Sequence, residues 1–182
     1  MEYPRYHKEI VSDLMNGKFI LASDQKFVSL KDNTAFYEKF FKESFAYALE
    51  VKSDYAFLLS YETAEQLSRD ICMFFAILCY ELDKDGKNFL EEIQYAEFEH
   101  EKLDSYFDNS AYAELIASNN QLRNSESRRD FMRTMARRNI VERNGDGKFS
   151  FTQAYKVFVD FAGDFAKGKL ANNANAENEI AE

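Results

Sequence analysis

Ten consecutive apolar residues, Ile71-Cys-Met-Phe-Phe-Ala-Ile-Leu-Cys-Tyr80, constrain this chain more than any other stretch. A helix built from them is apolar on every side, so it must be enclosed by the rest of the chain or by another chain. The run is about half the roughly twenty residues that a bilayer-spanning helix needs, which predicts a buried central helix and no membrane span. Thr63-Ala-Glu-Gln66 has the spacing of a capping box that starts this helix, and Asp83-Lys-Asp-Gly86 breaks it beyond Leu82. Core burial is the default reading. Its functional version is a partner groove or homodimer seam formed by Phe74, Phe75 and Leu78.

The material to enclose such a helix is present. The chain has 182 residues, 46% hydrophobic and 16% aromatic, enough for one large or two small domains, and a single Pro argues for regular elements joined by short turns. Cys72 and Cys79 lie seven apart on the central helix, about 10 Å at roughly 1.5 Å per residue, so they cannot bridge each other. Two such thiols, and a start without an apolar targeting run, predict a reducing cytoplasm.

On either side of the run the hydrophobic period changes. Tyr6 to Met15 carries Ile10, Val11, Leu14 and Met15 at helical spacing, and Asn16-Gly17 ends it. A short strand over Lys18 to Leu21 and a further extended piece over Phe27 to Leu30 are expected. Thr34 to Phe41 follows as a helix burying Phe36, Tyr37, Phe40 and Phe41. Phe45, Tyr47, Leu49 and Val51 then alternate with small or polar residues, Lys52-Ser-Asp54 turns, and Tyr55, Phe57 and Leu59 alternate again, giving a β-hairpin. Beyond the central helix, Asn88 to Gln94 reads as a helix, Asp104 to Phe107 gives no clear period, and Ala111 to Ala117 places Tyr112, Leu115 and Ile116 on one face. Ser127-Arg-Arg-Asp130 has capping-box spacing before the apolar face of Phe131, Met132, Met135 and Ala136. Ile140 to Arg143 and Lys148 to Phe151 flank Asn144-Gly-Asp-Gly147, the composition of a tight hairpin loop. Thr152 can cap a closing helix bearing Tyr155, Val157, Phe158 and Phe161.

Helices followed by a two-stranded wing thus occur twice. The expected fold is mainly α with small β-hairpins (α+β), as tandem winged-helix domains. The expected division is an N-terminal winged-helix domain at 1–62, central helices at 63–118 that link and contribute to both units, a C-terminal winged-helix end at 119–167, and a disordered Asn-rich tail at 168–182.

The formal charge of −9 makes the whole chain repel nucleic acid, so any such contact must be local. Arg123 to Lys148 holds eight basic against four acidic residues, whereas Glu62 to Asp104 holds twelve acidic against four basic. Arg129, Arg133 and Arg137 recur every four residues on the helix side away from Phe131 and Met135, and Arg138, Arg143 and Lys148 lie close by. These six are the candidate DNA-binding residues; the bland alternative is a solvated face. No accompanying Asn or Gln set reads bases, so backbone contact is the expected mode.

Glu142 to Gln153 imitates an EF-hand loop, with Asn144, Asp146 and Gly147 at matching positions. It puts Glu142 at the first position and Gln153 at the last, where a bidentate carboxylate is required, and its period-two flanks suit a hairpin. Glu81 to Glu92 is a similar decoy, with Asn88 where an apolar residue belongs. His7 and His100 are far apart, and there is no G-x-S-x-G or glycine-rich phosphate loop, so no catalytic residue, metal or cofactor is assigned.

Asn16-Gly-Lys-Phe-Ile20 after the first helix, Tyr37-Glu-Lys-Phe-Phe41 before an aromatic hairpin ending Tyr55-Ala-Phe-Leu-Leu59, and Arg138-Asn-Ile-Val-Glu142 before the last wing resemble the MukE and MksE subunits of bacterial condensins. The resemblance covers about Tyr6 to Phe165, and the chain is closer in size to MksE. It implies a non-enzymatic, cytoplasmic and nucleoid-associated homodimer that docks on the kleisin subunit of an SMC-like ATPase. Such a protein helps handle DNA in chromosome segregation or plasmid defence, and the ATPase belongs to the partner. The alternatives from the residues themselves are a winged-helix transcriptional regulator and, further off, an EF-hand-like calcium-binding protein.

Overall fold

The computed structural model describes residues 3–60 and 66–161. In its first part, Ile10 and Leu14 lie one turn apart and are buried by α1 (His7–Met15). Gly17, at φ 68°, then turns the chain out of the helix in a conformation that costs glycine little. β1 (Ile20–Leu21) leads to α2 (Gln25–Asp32), whose start is fixed by Asp24: its carboxylate accepts the Lys26 N–H at 2.9 Å. This corrects the expectation of an extended piece over Phe27 to Leu30, because the Asp24 cap commits that stretch to helix. α3 (Thr34–Phe45) runs four residues past Phe41 and is closed by Ala46 at φ 56°, so Phe45 ends a helix instead of opening a strand. β2 (Ala48–Val51) and β3 (Tyr55–Leu59) form the expected antiparallel hairpin, and β1 pairs with the other edge of β3.

The second part repeats this order. α4 (Gln66–Lys84) precedes α5 (Phe89–Tyr95), which is capped by Asn88 accepting from the Leu90 and Glu91 amides. β4 (Phe98–Glu99), too short to show a period, leads into α6 (His100–Asp108), α7 (Ala113–Ser118) and α8 (Ser125–Arg137). β5 (Val141–Arg143) and β6 (Lys148–Phe151) flank a 3-10 turn at Gly145–Gly147, and a helix, α9, occupies 155–161. The two sheets have matching orders, β1-β3-β2 and β4-β6-β5, with the last strand central in each. Each part therefore runs helix, strand, helix, helix, strand, strand, once the extra helices of the second part, α5 and α7, are set aside.

Two sequence caps differ from expectation or cannot be placed. Asn124, not Ser127, caps α8, its side chain accepting the Ser127 N–H at 2.9 Å. The Thr63 cap and the tail at 168–182 lie outside the described residues. In α7 only Ile116 faces the core, while Tyr112 and Leu115 are exposed.

The larger core is built on the apolar run. Phe74 lies 5.2 Å from Phe107 and 5.8 Å from Phe131 between ring centroids, and Phe75 lies 5.1 Å from Phe151 and 6.2 Å from Phe158. Phe74, Phe75 and Leu78 are at most 2% exposed. The three residues expected to bind a partner thus lie inside their own chain, where burial of each is worth about 1.5–3 kcal/mol. The enclosure is not complete, since Ala76 and Tyr80 reach solvent along one side of α4. A smaller core joins Ile10, Leu14, Phe27, Tyr37 and Phe41.

Phe19 and Tyr55 come from the first part yet pack into the larger core. Phe19 ties the two parts by backbone as well. Its N–H donates to the Arg138 carbonyl at 3.0 Å, and its own carbonyl accepts from Asn139 Nδ2 at 2.8 Å. Lys156 Nζ stands 3.2 Å from Asp54 Oδ2 along the same junction.

Candidate nucleic-acid interface

The direction of each arginine on α8 follows from its burial pattern. Arg128, Phe131, Met132 and Met135 occupy positions i, i+3, i+4 and i+7 and are all buried, which turns Arg129, Arg133 and Arg137 to solvent. Asn139, at φ 59°, then reverses the chain, with its carbonyl accepting from the Thr152 hydroxyl. This turn sends β5 back alongside α8. Arg143 thereby joins Arg133 and Arg137 around one shallow concavity, completed by Asp130 and Thr134.

The six candidates are not equivalent. Arg133 pairs with Asp130 one turn earlier, and Arg137 donates to Thr134 Oγ1 at 3.0 Å. Arg129 stands on the same exposed face, 3.8 Å from Glu101, and Lys148 starts β6, 3.7 Å from Glu99. These are solvent-exposed pairs of the kind worth at most about 1 kcal/mol, so a stronger anion can displace them. Arg138 departs from the group: its guanidinium packs over Gly17 at the junction between the two parts. The basic surface is registered by His100, at the start of α6 with its ring 5.2 Å from Phe149. Burial, then the charges of Arg129 and Arg143, hold its imidazole below the usual range against the opposing pull of Asp104 and Glu101.

Sequence reasoning missed Arg128. It is 1% exposed, donating through Nε to Asp104 at 2.6 Å, through Nη2 to Asp108 at 2.8 Å and through Nη1 to the Leu122 carbonyl at 3.0 Å. Its position three before Phe131 and seven before Met135 was the available signal. Asp130 and Thr134 were also missed as lining residues, though both lie one turn from stripe arginines.

Three guanidiniums around a shallow groove, flanked by a hairpin, can hold phosphate oxygens through forked, charge-assisted hydrogen bonds. They carry no arrangement specific for base edges. Among the described residues no group of three or more His, Cys, Asp or Glu is placed to hold a metal ion. The Asn144 to Gly147 segment lies between two strands, as a hairpin turn. At the other EF-hand-like stretch, Glu81 accepts from the Ser110 hydroxyl at 2.6 Å and Glu92 accepts from Lys87 at 3.2 Å. Among the described residues no helix is long and apolar enough to cross a membrane.

No curated protein matches the chain. The family model of the condensin complex protein MksE matches residues 5–162, nearly the whole of both repeated parts. The chain therefore belongs to the MksE family of condensin complex proteins.

Proposed function

We propose that this condensin subunit is a non-enzymatic adaptor that binds the kleisin of an SMC-like ATPase and touches DNA through the sugar-phosphate backbone. It works in the cytoplasm on the nucleoid, as a homodimer, in chromosome segregation or plasmid defence. The family match carries the condensin part of this reading. The repeated element order and sheet order support a tandem winged-helix architecture, with a first unit at 1–62 and a second that draws α4, β4 and α6 from the linking segment 63–118 together with the elements of 119–167.

The observation that carries the DNA part is the meeting of Arg133, Arg137 and Arg143 around one groove on a chain whose net charge is −9. Arg129 and Lys148 extend that surface along α8 and the wing, while Arg138 supports the junction beneath it. Contact with the kleisin falls on apolar surface around α4. With Phe74, Phe75 and Leu78 interior, that surface consists of Tyr80 and the Tyr112 it meets edge-on at 5.0 Å, with Leu115 exposed beside them on α7.

DNA binding by the native chain and by an Arg133→Ala, Arg137→Ala, Arg143→Ala variant, followed over a range of salt, tests the interface. The variant is expected to bind more weakly, with a log-log salt slope shallower by about 0.9 for each phosphate no longer neutralised. An unchanged slope would remove the groove from the interface. Tight binding to one defined duplex sequence by the chain alone would favour a transcriptional regulator instead.

A further inference from the structure

The wing tip begins with Asn144-Gly145, and the first helix ends with another such pair, Asn16-Gly17. An Asn followed by Gly is the dipeptide most open to succinimide chemistry, since the glycine amide meets no Cβ as it approaches the Asn side chain. Local structure separates the two. The Gly17 N–H donates to the Leu14 carbonyl at 2.9 Å inside a helix end, so its nitrogen is held away from attack. Among the described residues the Gly145 N–H donates no hydrogen bond outside its own turn, and Gly145 is exposed with nothing within 4 Å of where a Cβ would sit.

We propose that Asn144 is a site of spontaneous deamidation that converts the wing from a neutral amide to a carboxylate, while Asn16 is protected by its helix end. The Gly145 nitrogen forms a bond to Cγ of Asn144, the Cγ–Nδ2 bond breaks, and the proton from Gly145 leaves with Nδ2 as ammonia. Water then opens the ring at one of its two carbonyls, giving isoaspartate or aspartate. The native Asn144 Nδ2 donates to Glu97 Oε1 at 2.6 Å and stands 3.5 Å from the Ser150 hydroxyl. A carboxylate at 144 only accepts, so it faces Glu97 as one acceptor and one negative charge against another. The tie between the wing and the segment before β4 is then broken, beside Arg143. The effect on DNA rests on the phosphate-contact reading above; the modification itself does not.

The full chain is aged in mildly alkaline buffer and labelled by an isoaspartyl methyltransferase with radiolabelled S-adenosylmethionine, and the label is located by peptide mass spectrometry. Label is expected to grow with time on the Asn144 peptide and not on the Asn16 peptide, whereas urea-unfolded chain labels on both. Native labelling at Asn16 to the same extent, or none at Asn144, overturns the proposal. Gly145→Ala, for which there is open space, is expected to slow the Asn144 label more than tenfold without changing the unfolding midpoint; unaltered labelling in that variant also overturns it. Asn144→Asp is expected to weaken DNA binding roughly threefold or more at low salt. If the native chain binds no DNA, the DNA reading fails while the labelling result stands.

Discussion

Single residues decide which arginines on α8 are available. Arg128 and Arg129 are neighbours in sequence, yet Arg128 is interior, held by Asp104, Asp108 and the Leu122 carbonyl, while the Arg129 side chain is half exposed. Removing the buried cation leaves the largely buried Asp104 carboxylate unpaired, while the exposed Asp108 returns to water, so Arg128→Met is expected to cost about 3 kcal/mol in urea unfolding, and Arg129→Ala less than about 0.5. Equal, small effects would mean that Arg128 is not the interior cation described. His100 gives a pH signature at the same scale. Its folded pKa lies below the ordinary 6.5, so the folded state resists protonation. The stability it contributes is complete above that value and is lost as pH falls through the folded pKa. Against a His100→Gln variant, the native chain should lose more stability as pH drops below 6.5; parallel pH profiles would contradict it. The charge spacing of the stripe was readable from sequence, but the side chains that neutralise it, Glu101, Asp130 and Glu99, were not, because two of them come from distant elements.

At the scale of elements, the junction built on Phe19, Arg138 and Asn139 sets where α8 stands relative to the first sheet. Gly17 is the tight point: an added Cβ would lie 2.9 Å from Arg138 Nη1, on a backbone at φ 68°. Gly17→Ala should therefore cost about 2 kcal/mol, most of it the left-handed conformation and the rest displacement of Arg138. A Gly17→Ala midpoint in urea equal to the native one would show that neither constraint operates. Long periodic elements were legible: the hairpin of β2 and β3, apart from its first residues at Phe45 to Tyr47, the central helix and the hairpin of β5 and β6 stand where alternation or helical spacing put them. Short ones were not. Phe27-Val-Ser-Leu30 is too short for its three apolar residues to fix a period until the Asp24 cap is weighed with them, two-residue β4 has no period to read, and α6 shows its face only when Leu103, Tyr106 and Phe107 are taken together.

For the whole molecule, enclosure of the apolar run is internal: α4 carries the core on which α6, α8 and β6 pack, and among the described residues the run is open along a strip through Ala76 and Tyr80. Sequence showed that the run had to be covered but not by what, since covering elements are brought in by tertiary packing. That is why the core phenylalanines were open to a partner reading until the fold placed Phe107, Phe131, Phe151 and Phe158 around them. The family match makes the chain a condensin complex protein, and the adaptor role proposed for it is tested at this scale. The most direct measurement is affinity purification of the chain at its native cellular level. A kleisin and an SMC-like ATPase are expected to copurify with it in fixed proportion, and Tyr80→Glu with Leu115→Glu is expected to reduce their recovery while the chain stays folded. Recovery of the chain without any kleisin would contradict the adaptor role.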